Sequence, residues 1–116
     1  MDFKKFDRLK RQYEEYIAKA EKNINGGKAI QQTRSVWFDR QTIEELLKQT
    51  DPRTGGIKVF FGKYDEESLS NSDISAEEKD LYGKLTLILA ASDDNKDPQT
   101  ESMVVNGGKI CPPDCS

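Results

Sequence analysis

The first part of the chain repeats apolar residues at helical spacing. These residues are Phe3, Phe6, Leu9, Tyr13, Tyr16, Ile17, Ala20 and Ile24. On a wheel of about 100° per residue they fall within an arc roughly 140° wide, and most charged side chains take the opposite face. Asn25-Gly26-Gly27 follows, and glycine is typical of helix ends. The pattern predicts one amphipathic helix over residues 3–24.

Two shorter helices are predicted further along. Asp39 precedes residues 40–50 and is a good N-cap, because its carboxylate accepts a hydrogen bond from a free N–H at the helix start. Phe38 and Ile43 would occupy the two positions of a hydrophobic staple. A third helix is predicted over residues 75–83, whose first four residues, Ser-Ala-Glu-Glu, form a capping box.

Four segments have the composition or alternation of strands. They are Thr33–Phe38, Ile57–Tyr64, Lys84–Ala91 and Met103–Val105. The third is apolar on both faces, which is typical of a central strand. Strands joined by helices are also compatible with parallel pairing. We favour an α+β fold: a three- or four-stranded, mostly antiparallel sheet with a long N-terminal amphipathic helix and two shorter helices.

The length of 116 residues allows one domain. We expect a single α+β domain over residues 1–108, closed by the turn Asn106-Gly107-Gly108. Residues 109–116 (KICPPDCS) then form a Cys/Pro-containing tail. Because the tail follows a glycine pair at the end of the chain, we expect it to be dispensable for folding.

The composition is acidic and only moderately apolar. Eighteen basic and 21 acidic residues give a net charge of −3, and hydrophobic residues make up 34%. An acidic chain disfavours nucleic-acid binding, which needs a basic face. No apolar run is long enough for a membrane span, and the first 16 residues lack the apolar region of a secretory signal. We therefore expect a cytoplasmic protein that binds neither nucleic acid nor membrane, of unpredicted oligomeric state.

The residues offer little catalytic chemistry. The chain has no histidine, so Ser-His and Cys-His nucleophile pairs are excluded. The chain contains neither of the glycine-rich phosphate-binding motifs, GxxxxGK(S/T) and GxGxxG. Four carboxylates occur as neighbouring pairs on helix faces that we expect to be exposed, where nothing favours an acid/base pair: Glu44, Glu45, Glu77 and Glu78. We assign no catalytic residue, no metal ligand and no cofactor, and an enzyme is the less favoured class.

The two cysteines, Cys111 and Cys115, form the most distinctive string, Cys-Pro-Pro-Asp-Cys. Three interpretations stay open. The segment is a structural or disordered tail whose cysteines are thiols in a reducing cytosol, or the pair forms a disulfide, or two chains share a metal. One chain supplies only half of the four ligands that structural zinc needs.

Trp37 and Tyr64 are the candidate binding residues. Aromatic residues on a sheet belong first to the core, as do Phe60 and Phe61 in the strand over 57–64. A ligand pocket lined by Trp37 and Tyr64 is the functional alternative.

Several short motifs resemble a group of small uncharacterised bacterial proteins. The motifs are the pair Trp37-Phe38 opening a helix, the glycine-led strand Gly56–Tyr64, the apolar strand Leu85–Ala91 and the terminal string Cys111–Cys115. The resemblance covers about two-thirds of the chain. It implies a small soluble bacterial protein and supplies no activity or catalytic residue.

Two functional hypotheses follow. The first is a non-catalytic interaction or accessory module with a protein partner. The alternative is a precursor or secreted effector cleaved after Gly107-Gly108, because a Cys/Pro-rich octapeptide follows a double glycine. Glu101 and Val105 fit the leader pattern of such precursors, whereas Ser102 stands where an apolar residue is usual.

Overall fold

The computed structural model describes residues 1–65 and 81–116. This part of the chain contains two α-helices and five strands. The helices are α1 (Phe3–Asn25) and α2 (Arg40–Leu47), and the strands are β1 (Ser35–Trp37), β2 (Gly55–Lys63), β3 (Leu85–Asp93), β4 (Val104–Val105) and β5 (Lys109–Cys111). Single 3₁₀ turns cover Gly26–Lys28 and Glu101–Met103. The α+β class and the long N-terminal helix are confirmed.

The helix α1 begins and ends close to its predicted limits. The Asp2 side chain caps its start by accepting a hydrogen bond from the Lys5 N–H at 2.8 Å. Much of its apolar stripe lies in solvent, and Phe3 and Leu9 are 74% and 47% exposed. In the described parts of the chain, no helix is long and apolar enough to cross a membrane.

The helix α2 has the predicted N-cap but a shorter body. Asp39 Oδ1 accepts a hydrogen bond from the Thr42 N–H at 2.8 Å, which confirms the cap. The helix was expected to reach residue 50 and ends at Leu47. The Thr50 N–H donates to the Leu47 carbonyl at 3.0 Å, so the chain leaves the helix through a tighter turn.

The central sheet has the order β2-β3-β4 and is antiparallel. The strand β3 is therefore central, as its two apolar faces predict. The helix α2 packs on β2 and β3, and its Leu46 meets Leu89 and Ala91 of β3 in the buried core. Phe38 and Ile43, the predicted staple pair, both pack against this core.

Two expectations about the number of elements need correction. The strands form two sheets rather than one, because β1 pairs with β5 and not with β3. The described residues contain five strands instead of three or four, and two α-helices instead of three. The third predicted helix lies mostly in residues 66–80, outside the described residues. Its last three positions, 81–83, form a turn that leads into β3.

The segment 109–116 differs from the expected tail. Its first three residues are the strand β5, in register with β1: Val36 faces Ile110, and Trp37 faces Lys109. The Ile110 side chain is 3% exposed. Because this pairing joins residues far apart in sequence, local patterns did not indicate it. The pairing gives the segment a place in the fold, and its dispensability for folding stays a prediction that deletion tests.

Candidate functional site

One face of the central sheet is only partly covered. Side chains alternate between the faces of a strand, so Ile57 and Phe61 of β2 share a face with Leu87 and Leu89 of β3. The helix α2 covers the end that carries Ile57 and Leu89. At the other end, Phe61 is 89% exposed. The apolar face thus continues into solvent beyond α2.

A cavity of about 270 Å³ lies at this uncovered end. Its apolar walls are Tyr13 of α1, Val36 of β1, Phe61 of β2, and Leu85 and Leu87 of β3. The polar residues around it are Thr33, Arg34, Ser35 and Thr86. We call this cavity the apolar cleft. The Thr86 hydroxyl is buried and makes no hydrogen bond to any residue that the structure describes.

Polar side chains fix the segment before β1 against the start of β3. The Gln32 Oε1 accepts hydrogen bonds from the N–H groups of Thr33 at 2.9 Å and Leu85 at 2.8 Å. The Thr33 hydroxyl donates to the Leu85 carbonyl at 2.5 Å. Gln32 and Thr33 are both buried. These bonds set the position of Arg34–Val36 along the apolar cleft.

A carboxylate and a phenol attach α1 to the same segment. Glu21 is buried and accepts hydrogen bonds from Asn25, Gln32 and the Ile30 N–H. Burial raises the pKa of Glu21, but these hydrogen bonds and the nearby Lys63 charge together hold it below its ordinary value. The Tyr13 hydroxyl donates to the Thr33 carbonyl at 2.8 Å, and burial raises the pKa of the Tyr13 phenol.

Two basic side chains, Lys84 and Arg34, lie near the apolar cleft, and the Glu21 carboxylate lies close to Lys84. Lys84 is buried and donates to the Gln31 carbonyl at 2.5 Å. Burial lowers the pKa of Lys84, and the nearby Arg34 charge lowers it further, while Glu21 acts in the opposite direction. Arg34 is exposed and forms no ion pair with a carboxylate among the described residues. Arg34 therefore places a guanidinium at the rim of the cleft.

Arg34, which lines the apolar cleft, also contacts the disulfide. Cys111 and Cys115 are bonded to each other, with their Cα atoms 4.6 Å apart. The Arg34 Nη2 lies 3.9 Å from the Cys111 sulfur and 3.8 Å from the Cys115 sulfur. The Arg34 N–H donates to the Cys111 carbonyl at 2.7 Å. The end of β5 thus holds both the main chain and the side chain of Arg34.

The two predicted binding residues lie in different surroundings. Trp37 is 59% exposed on β1, and the Lys109 Nζ lies 5.3 Å from its ring centre, a cation–π contact. Trp37 lines a shallow cleft of about 510 Å³ together with Lys109 and Asp114. Tyr64 follows β2, is buried and does not line this cleft. The structure does not bring the two aromatic residues together there.

The residues of the apolar cleft were not selected from the sequence. Alternation with Ile57 on one strand face predicts a core position for Phe61, whereas the structure leaves it 89% exposed beyond the end of the face that α2 covers. The helical pattern places Tyr13 in the apolar stripe of α1 but does not indicate which residues of the sheet it contacts. Arg34 gave no signal, since one arginine before a strand is common.

The double glycine has a packing role in the structure. A Cβ atom on Gly108 would lie 2.5 Å from Val36 Cγ1 and 2.8 Å from two carbons of the Phe38 ring. Gly108 directly precedes β5. The close approach explains the missing side chain without a protease, and cleavage after Gly108 stays a prediction.

Comparison of the chain with protein-family models, with curated proteins and with solved structures found no match. The resemblance to small bacterial proteins therefore stays a prediction. The functional argument rests on the geometry of the apolar cleft.

Proposed function

We propose that this protein is a non-catalytic interaction module that binds a protein partner through the apolar cleft. The observation that carries the proposal is the exposure of Phe61 on the wall of an apolar cavity. Large contiguous apolar patches on a surface mark interaction sites. Tyr13 of α1 lines the cleft wall, so the middle of this helix adds to the surface.

The residues around the cleft support binding rather than catalysis. None of its lining residues is a carboxylate or a cysteine. Among residues 1–65 and 81–116, no three His, Cys, Asp or Glu side chains come together as metal ligands. Arginine, threonine, tyrosine and aliphatic side chains provide shape and hydrogen bonds. They are the groups of a recognition surface.

The test uses the full chain and a phage-displayed library of random heptapeptides. Peptides selected on the wild-type protein are synthesised, and their affinity is measured by calorimetry for wild type, Phe61→Ser and Ile24→Ser. Burying a phenylalanine contributes about 1.5–3 kcal/mol, so Phe61→Ser should weaken binding about tenfold or more. Ile24 is also an exposed apolar residue, at the far end of α1, and its variant should bind as wild type does.

Circular dichroism of the variants confirms that both remain folded, since neither side chain is buried. Failure to select any peptide, or equal binding by the Phe61→Ser variant, would reject the proposed function.

The cytoplasmic location is a separate proposal. Disulfides persist mainly in oxidising compartments, so the redox state of Cys111 and Cys115 in the cell tests this location. Alkylation of thiols before cell lysis, followed by intact-mass measurement, decides the point. Two added alkyl groups on the native protein would support the cytoplasmic location. A mass without added alkyl groups would reject it.

A further inference from the structure

Beside the apolar cleft, no described strand pairs with the outer edge of β3. The Tyr64 N–H donates to the Lys84 carbonyl, so Lys84 directs its carbonyl towards β2. Alternate residues of an antiparallel strand direct their main-chain groups to opposite edges, so Leu85 and Leu87 direct theirs away from β2. Gln32 and Thr33 satisfy the main-chain groups of Leu85.

Among the residues that the structure describes, Leu87 has no such partner on this edge. The strand β4 begins its pairing only at Leu89, opposite Val105. No described residue hydrogen-bonds the N–H or the carbonyl of Leu87 at the outer edge. An exposed strand edge with a free donor and a free acceptor is a template for another strand. The open position lies in the wall of the apolar cleft, which Leu87 also lines.

The size of the cleft favours side chains over a whole cofactor. Its volume of about 270 Å³ is below the ~300–1,000 Å³ of typical small-molecule sites. Val36, Phe61 and Leu87 give it apolar walls. One or two apolar side chains of an extended peptide would fill it, while their main chain pairs with Leu87.

The charge at the rim selects among such peptides. Arg34 lines the cleft and has no carboxylate partner in the described residues. A guanidinium binds a carboxylate through paired, charge-assisted hydrogen bonds. A peptide with an acidic side chain beside its apolar anchor would neutralise Arg34.

We infer that the apolar cleft binds an extended peptide segment of a protein partner, which pairs with the Leu87 main chain, places an apolar side chain between Val36 and Phe61, and presents a carboxylate to Arg34. This inference rests on the proposed interaction function and adds the conformation and the charge of the ligand. Extended segments commonly bind in this way at open sheet edges.

The experiment uses the heptapeptide with the highest affinity from the selection described above, and three kinds of analogue. The first replaces its acidic residue by the corresponding amide, and the second replaces the same residue by lysine. The third is a series that carries one N-methyl group at each position in turn, to find the residue that pairs with Leu87. Affinities are measured for wild type, Arg34→Gln, Arg34→Glu and Arg53→Gln. Arg53 is an exposed arginine in the turn before β2 and serves as the matched control.

The selected peptides should be rich in Asp or Glu. Arg34→Gln should weaken their binding about tenfold and abolish the preference for the acid over the amide. Arg53→Gln should have no effect. The Arg34→Glu variant should bind the analogue with lysine in place of the acidic residue more tightly than it binds the original peptide. One N-methyl position should weaken binding tenfold or more, because it removes the hydrogen bond to the Leu87 carbonyl.

The outcomes distinguish the proposed interaction function from the more specific binding of an acidic, extended peptide. Peptides that need Phe61 but show no acidic preference, no effect of Arg34→Gln, or no sensitive N-methyl position would overturn this inference and leave the interaction function standing. Failure to select any peptide would overturn both.

Discussion

At the residue scale, Gly108 shows how the absence of a side chain permits the close approach of the chain before β5 to Val36 and Phe38. It directly precedes β5 and lies against Val36 of β1 and the Phe38 ring. Phe38 in turn packs on the core formed by Leu46, Leu89 and Ala91. A side chain on Gly108 would therefore have to displace both a strand and a core residue.

We expect Gly108→Ala to destabilise the protein by about 1–3 kcal/mol, the usual effect of overpacking. The measurement is the midpoint of urea unfolding. Gly56→Ala is the control, because a Cβ at Gly56 meets no atom within 4 Å. Equal midpoints for the two variants would show that the packing around Gly108 is looser than described.

At the element scale, the pairing of β1 with β5 gives the C-terminal segment a structural role. Both strands have three residues, and Ile110 is the buried residue between them. The disulfide closes only the short loop from Cys111 to Cys115. Short loops lose little chain entropy in the unfolded state, so the strand should contribute more to stability than the disulfide.

We expect deletion of residues 109–116 and the single change Ile110→Ala each to cost about 2–5 kcal/mol, because a buried apolar side chain is lost. The double variant Cys111→Ser/Cys115→Ser should cost less than about 3 kcal/mol. Thermal and urea unfolding of the three variants measure the order. A deletion that leaves the melting temperature unchanged would restore the interpretation of a dispensable tail.

At the scale of the whole molecule, Glu21 connects the long helix to the sheet. It binds the Ile30 N–H and Gln32, and Gln32 reaches the Gly83 carbonyl and the Leu85 N–H at the start of β3. These bonds hold the C-terminal half of α1 in place. The N-terminal half extends beyond them with its stripe exposed.

This connection should make stability depend on pH. The pKa of Glu21 is lower in the folded protein than its ordinary value of 4.5, so its contribution is complete above that value. The contribution is lost as the pH falls through the folded pKa, because the unfolded chain binds the proton first. Between pH 6 and pH 3, the urea midpoint should fall more for wild type than for Glu21→Gln.

The control for this prediction is Glu15→Gln, on the exposed face of the same helix. Its midpoint should fall with pH as the wild-type midpoint does. A Glu21→Gln variant with an unchanged pH profile would contradict the role of the Glu21 charge.

The features that were predicted correctly depend on neighbours in sequence. The limits of α1 follow from apolar residues at three- and four-residue steps, and the start of α2 follows from Asp39 beside its own helix. The central place of β3 follows from apolar residues on both of its faces. In each case, the residues that decide the structure are local, so their pattern is visible along the chain.

The remaining features depend on contacts between distant segments. The pairing of Val36 with Ile110 and the meeting of Tyr13 with Phe61 at one cleft join residues that no short pattern connects. The burial of Glu21 also depends on how the elements pack. By itself, the sequence determined the α+β class and most of the elements, because local propensity and periodicity fix those. Only the tertiary structure decided which apolar residues stay exposed, because burial depends on where α2 ends and on which strands meet.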